Sequence, residues 1–165
     1  MPNQLDLLKS RRFLPLFITQ FCGAFNDNAF KNALLIWFTY EVANRSDVTV
    51  QFMVTVAAGL FILPFFMFSA TAGQVADKYE KSKIAQILKV FEITLVISWA
   101  LFFYLQSIYG LLSVLFLLGA QSAFFSTIKY SLLPEHLKEE ELIAGNGLIK
   151  SGTFLSVLLG TLFGD

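Results

Sequence analysis

Residues 13 to 40 form one long apolar run with a polar interruption at its middle, Phe25-Asn26-Asp27-Asn28-Ala29-Phe30-Lys31-Asn32. The flanks, Phe13 to Ala24 and Ala33 to Tyr40, read as one membrane-spanning helix, which needs about 20 mostly apolar residues. A charged group at the centre of a bilayer costs roughly 2.5 kcal/mol or more, so such residues turn toward a bundle interior or a watery path. At about 100° per residue, Gln20, Gly23, Asp27 and Lys31 fall on one stripe, with Asn28 and Asn32 beside it. The spacing of four predicts that Asp27 and Lys31 pair. Two readings are open. The polar group lines a path, or it is an internal tie between helices, worth about 1 kcal/mol per contact. Five polar side chains, Asn26, Asp27, Asn28, Lys31 and Asn32, within seven positions favour the lining. A polar lining in a membrane bundle predicts transport.

The rest of the chain fits that class. Its 165 residues are 56% hydrophobic and include 19 Phe, above the 45–50% apolar content usual in soluble domains. The excess lies in blocks, so the expected fold is an all-α integral membrane bundle of about five transmembrane helices, at roughly 13–40, 52–72, 84–107, 110–133 and 143–163. Barrel strands would alternate with a period of two in short segments, which these do not. The connectors are then 41–51, 73–83, 107–110 and 134–142. The first segment is too long, and its polar centre wrong, for the apolar region of a cleavable signal peptide, so none is expected. Cys22, the single cysteine, reads as a small buried hydrophobe, and His136 stands alone in a charged loop. No metal, cofactor or nucleic-acid role is expected.

Lysine and arginine set the orientation. Lys9, Arg11 and Arg12 precede the first helix; Lys78, Lys81 and Lys83 lie between the second and third; Lys138 lies between the fourth and fifth. The opposite side has Arg45, so the N-terminus is expected in the cytoplasm. The odd number of helices, with the fifth emerging at Asp165, predicts that residues 1–165 are a partial N-terminal transmembrane domain, the front of a larger transporter. A complete small transporter that oligomerises is the alternative.

Other polar residues sort by position. Ser122, Ser126 and Lys129 share a face of the fourth helix. Lys129 either joins the polar path or snorkels to the cytoplasmic surface. Lys89 and Glu92, three apart, are expected to form a structural pair outside any site. Glu139-Glu140-Glu141 reads as a solvated loop face. Gly152, Gly160 and Gly164 read as close packing.

The second connector, Gly73-Gln74-Val75-Ala76-Asp77-Lys78-Tyr79-Glu80-Lys81-Ser82-Lys83, places a glycine at a helix end and an Asp able to cap the next helix. It resembles the signature loop of the major facilitator superfamily, G-x-x-x-D-R/K-x-G-R/K-x-R/K, at Gly73, Asp77, Lys78, Lys81 and Lys83. Glu80 departs from the usual Gly. Within that superfamily the chain resembles the bacterial lysophospholipid transporter (LplT-like) family along all five helices. The motifs that carry the likeness are Phe21-Cys22-Gly23-Ala24-Phe25-Asn26-Asp27-Asn28-Ala29-Phe30-Lys31-Asn32, then Gly73 to Lys78, then Lys129-Tyr130-Ser131-Leu132-Leu133-Pro134-Glu135 followed by Ala144-Gly145-Asn146-Gly147-Leu148. Family members commonly carry Gly-Pro where Ser126-Thr127 stands, and often an acidic residue in place of Lys150.

The resemblance implies the N-terminal portion of a major-facilitator fold. It implies movement of lysophospholipid, chiefly lysophosphatidylethanolamine, across the bacterial inner membrane for re-acylation to phospholipid. It also implies an acyltransferase and an acyl-carrier-protein ligase as partners, fused or separate. A zwitterionic head group offers a phosphate, for Lys129 or Lys31, and an ammonium, for Asp27. The expected substrate path is therefore Gln20, Asn26, Asp27, Asn28, Lys31, Asn32, Ser126 and Lys129. The expected cytoplasmic gating loop is Gly73, Asp77, Lys78, Lys81 and Lys83. The alternatives are a proton-coupled small-molecule exporter, with Asp27 or Glu92 carrying the proton, and a membrane anchor for a fused enzyme. The fifth helix lacks the Pro-containing antiporter signature of some superfamily members, which weighs against drug/proton antiport. No nucleophile–base set or phosphate-binding loop is visible.

Overall fold

A computed structural model describes residues 4–42 and 50–164. Arg45 and Asp165, used above for orientation and for the end of the fifth helix, lie outside the described residues. After a 3-10 turn at Gln4–Lys9 come α1 (Leu14–Trp37), a π-helical turn (Phe38–Val42), α2 (Val50–Lys78), α3 (Lys81–Tyr104), α4 (Ile108–His136) and α5 (Glu139–Gly164). Among the described residues there is no strand. α2, α3, α4 and α5 are long and apolar enough to cross a membrane. α1 has the length, about 36 Å at 1.5 Å per residue, but its polar middle lowers its apolar content. The architecture is an all-α membrane bundle.

Burial follows membrane logic. Phe66 is 80% exposed, and Ile87, Val90, Ile93 and Ile97 line the outside of α3, while Gln20, Asp27, Glu92, Gln121 and Lys129 are buried. Between helices surrounded by lipid, association comes from close packing and polar contacts and owes little to hydrophobic burial. The small residues of α5 fit that rule. Gly152, Ser156, Gly160 and Gly164 recur every fourth position, so they stack on one face. A Cβ at Gly160 would sit 2.5 Å from the carbonyl oxygen of Phe25, and one at Gly164 would sit 2.6 Å from that of Ala29. α5 therefore lies against the α1 backbone, as the glycines predicted. Gly119 does the same for α4, where a Cβ would strike the carbonyl oxygen of Phe61, one turn before the buried Pro64.

The result is two closely packed groups. α1 runs along α5, and α4 runs along both α2 and α3, while α1 touches α2 and α4 only sparsely, and α4 touches α5 sparsely. An apolar cluster built on Leu34, Phe38, Trp99, Leu111 and Leu115 fills one end. Leu7, Phe13, Leu133, Leu137 and Ile149 fill the other. The polar layer lies between them.

The helices run further than their apolar cores. α2 continues through Gly73, Asp77 and Lys78, leaving Tyr79 and Glu80 as the connector, and α5 starts at Glu139. Polar residues at a span's end lie past the hydrocarbon, where they end the apolar signal without ending the helix. Several expectations change. Gly73 is inside α2 with open space where a Cβ would go, so it is no close-approach point. Asp77 sits in the last turn of α2 and cannot cap α3, whose N-cap position is Glu80 in ordinary extended backbone (φ −65°, ψ 110°), with no side-chain cap. Glu139, Glu140 and Glu141 form the first turn of α5, where carboxylates meet the positive end of the helix dipole, and Glu141 accepts from the Lys138 backbone N–H at 3.0 Å. His136 likewise ends α4, its ring 3.0 Å from the Leu132 carbonyl oxygen. Cys22 is exposed, contrary to the expected burial; it lines a groove between α1 and α3, off the Gln20–Asp27 stripe.

Candidate functional site

α1 supplies the first wall of a cavity at mid-bundle. Gln20, Gly23 and Asp27 are buried on one stripe, as the periodicity required. Gln20 donates to Thr153 Oγ1 of α5 at 3.1 Å. The Asp27 carboxylate accepts from the Ser122 hydroxyl of α4, and its Oδ1 is buried without a hydrogen-bond partner. The expected Asp27–Lys31 pair is not formed. Lys31 Nζ donates instead to Asn28 Oδ1 at 3.1 Å and lies 5.6 Å from the Phe61 ring centroid. Asp27 turns across the bundle to α4, whereas Lys31 leans toward α2, so a shared helical face does not bring the two charges together.

α3 and α4 supply a polar line that sequence spacing assigned elsewhere. Lys89 and Glu92 form the expected ion pair, at 2.5 Å, but the pair lines the cavity. Gln121 donates to Glu92 Oε2 at 2.9 Å, and the Ser122 hydroxyl lies 3.2 Å from Gln121 Oε1. Lys89, Glu92, Gln121, Ser122 and Asp27 thus form one connected network across three helices. Lys89 Nζ also lies 4.1 Å from the Phe125 ring centroid. Gly23 makes room for it, since a Cβ there would be 2.7 Å from Nζ. The missed signal was depth: Lys89 and Glu92 lie within a spanning run, where ionisable residues mark function by default.

Lys129 completes the charged set. It is 5% exposed, lines the same cavity, and its Nζ lies 4.7 Å from the Tyr130 ring centroid. Among the described residues it has no ion-pair partner. Burial favours the inward alternative over snorkelling. The cavity, about 200 Å³, draws its lining from all five α-helices; Gln20, Asp27, Asn28, Ser126 and Lys129 of the expected path lie on it. Asn26, Lys31 and Asn32 do not. Asn26 faces a groove of about 420 Å³ between α1 and α3, and Asn32 lies against Gly164. Among the described residues no group of His, Cys, Asp and Glu is arranged to hold a metal.

The basic residues outside the apolar spans gather with acidic partners at one end. Arg12 reaches Glu141 at 3.4 Å and donates to the His136 carbonyl oxygen at 3.3 Å. Lys81 pairs with Glu135 at 2.5 Å, and Lys83 pairs with Glu80 at 2.6 Å. These bonds tie the start of α1 to the α4–α5 junction, and the start of α3 to the end of α4. A second hollow of about 420 Å³ opens at this end beside Arg11, Arg12 and His136, and meets the central cavity at Lys89 and Phe125.

A membrane bundle with this buried charged layer matches no family model and no solved structure. Curated proteins do match. Lysophospholipid transporter LplT of Cronobacter sakazakii is 28% identical over 160 residues, 95% of this chain and 36% of that protein. The proteins of the same name from Serratia proteamaculans, 28% identical over 166 residues, and Yersinia pestis, 28% identical over 159 residues, align over a similar extent. The chain resembles these lysophospholipid transporters. The likeness runs almost end to end along it, and it spans a little more than a third of the length of these relatives.

Proposed function

We propose that this chain is the N-terminal part of a major-facilitator transporter that moves lysophospholipid, chiefly lysophosphatidylethanolamine, across the bacterial inner membrane toward the cytoplasm. The observation that carries the head-group reading is the pair of charges left open in the cavity. Lys129 has no carboxylate partner among the described residues, and Asp27 keeps one carboxylate oxygen without a partner. A phosphate meets the first and an ammonium the second through charge-assisted hydrogen bonds. Phe61, Phe65 and Phe125 on the cavity wall suit the start of an acyl chain.

The packing supports the superfamily. Halves of such folds contain two inverted three-helix repeats, in which α4 corresponds to α1 and α5 to α2. The close packing of α1 on α5 and of α4 on α2 is the pattern such a repeat produces. The basic end gathers Arg12, Lys81 and Lys83, which supports a cytoplasmic N-terminus. On this reading Asp77, Lys78, Lys81 and Lys83 form a cytoplasmic gate, and an acyltransferase consumes the delivered lipid.

The test is uptake by the full-length protein in proteoliposomes. Lysophosphatidylethanolamine is expected to cross without an imposed proton gradient, and diacyl phospholipid to cross poorly. Uptake that requires a proton gradient and is competed by a soluble amine or sugar would replace this reading with that of a proton-coupled exporter.

A further inference from the structure

The cavity holds two cations and two carboxylates, but they are not equally free. Lys89 and Glu92 neutralise each other at 2.5 Å, and Gln121 fixes the same Glu92 oxygen at 2.9 Å. Asp27 and Lys129 are left to face a ligand. A head group with one phosphate and one ammonium balances them. One with a phosphate and a neutral alcohol brings a net negative charge, and Lys89 is the further cation on the cavity wall that would balance it. Lys89 is placed to do so. It lies against the Phe125 face at 4.1 Å, on the same side of α4 as Lys129, and Gly23 leaves its ammonium space. Glu92 holds it back.

We infer that Glu92 tunes head-group selectivity by keeping Lys89 engaged, so that releasing Lys89 raises uptake of anionic relative to zwitterionic lysophospholipids. This rests on the lysophospholipid reading above. Glu92 acts through Lys89 and is a positioning residue; Lys89 is the group that meets an anionic ligand once released.

The two single variants should move selectivity in opposite directions, which a merely structural role would not do. The full-length protein in proteoliposomes is given lysophosphatidylethanolamine and lysophosphatidylglycerol separately. Glu92→Gln keeps an acceptor for Gln121 and frees Lys89, and should raise the ratio of anionic to zwitterionic uptake about tenfold, since complementary charge governs specificity. Lys89→Gln leaves Glu92 unbalanced and should lower that ratio. The double variant should return it toward the starting value. Ratios that stay fixed in both single variants, or that move the same way in both, overturn the inference. Should one variant fail to reach the membrane, the other still decides through the direction of its shift. A starting protein that moves neither lipid overturns the lysophospholipid reading itself. One that moves either lipid, with ratios unmoved by the variants, overturns the role of Glu92 alone.

Discussion

The Ser122 hydroxyl on α4 bonds the Asp27 carboxylate on α1, joining two helices through residues 95 apart in sequence. The bond spans the sparsely packed boundary between the two helix groups at the level of the cavity. It satisfies one carboxylate oxygen and leaves the other open.

Removing that hydroxyl should be felt at once in stability and transport. An interhelical hydrogen bond in a membrane contributes about 1 kcal/mol. Ser122→Ala is therefore expected to lower the melting temperature in detergent and, on the proposed lysophospholipid function, to cut lysophosphatidylethanolamine uptake by the full-length protein severalfold. Ser122→Thr, which keeps the hydroxyl, should recover much of both. Equal loss in the two variants would show that the hydroxyl is not the group that matters.

Asp27 and Lys31 should be only weakly coupled, because they face different helices and form no direct ion pair. Asp27→Ala is expected to abolish most uptake and Lys31→Ala to reduce it modestly. Their coupling in a double-mutant cycle should stay at or below about 1 kcal/mol, at the low end for neighbouring residues. Coupling well above that would restore the direct pair that the spacing of four predicted.

The glycines of α5 should divide sharply. Gly160→Ala forces a Cβ against the Phe25 carbonyl oxygen at 2.5 Å and Asn28 Cβ at 3.1 Å, and overpacking of this kind costs about 1–3 kcal/mol. Gly147→Ala meets nothing within 4 Å and should hold or raise the melting temperature, since Ala is the better helix former by about 1 kcal/mol. Thermal unfolding of the two variants side by side is the check.

Asp77 lies outside the cavity and is exposed at the end of α2. Asp77→Asn is expected to slow transport while leaving equilibrium binding of lysophosphatidylethanolamine nearly unchanged. Parallel loss of binding and transport would remove the gate role.

Much of this was legible because apolar length and helical period are direct consequences of bilayer thickness and backbone geometry. Five helices, the Gln20–Asp27 stripe and the glycine seam of α5 all follow from those two rules. What sequence spacing left open was the side-chain direction across the bundle. Lys31 and Asp27 share a face and still part company, because each is drawn to a different neighbouring helix. Glu92 shows the same limit. Its spacing from Lys89 revealed the pair, while its place in the cavity depends on Gln121, a residue of another helix. Helix ends were hidden for a simpler reason: Asp77 and Glu139 are polar where the helix leaves the hydrocarbon, and polarity alone does not break a helix.

The two helix groups differ in compliance. Where Gly160 and Gly164 seat α5 on α1, and Gly119 seats α4 on α2, the backbones are in contact and any sliding meets atoms at once. Among the described residues, the boundary between the groups has no such backbone interlock along its middle and is bridged there by the Asp27–Ser122 hydrogen bond, of a kind worth about 1 kcal/mol in a membrane. Motion is therefore expected to concentrate at that boundary, with the paired helices travelling as stiff units. A bound head group that takes over the bonds of Asp27 would release the same joint it occupies.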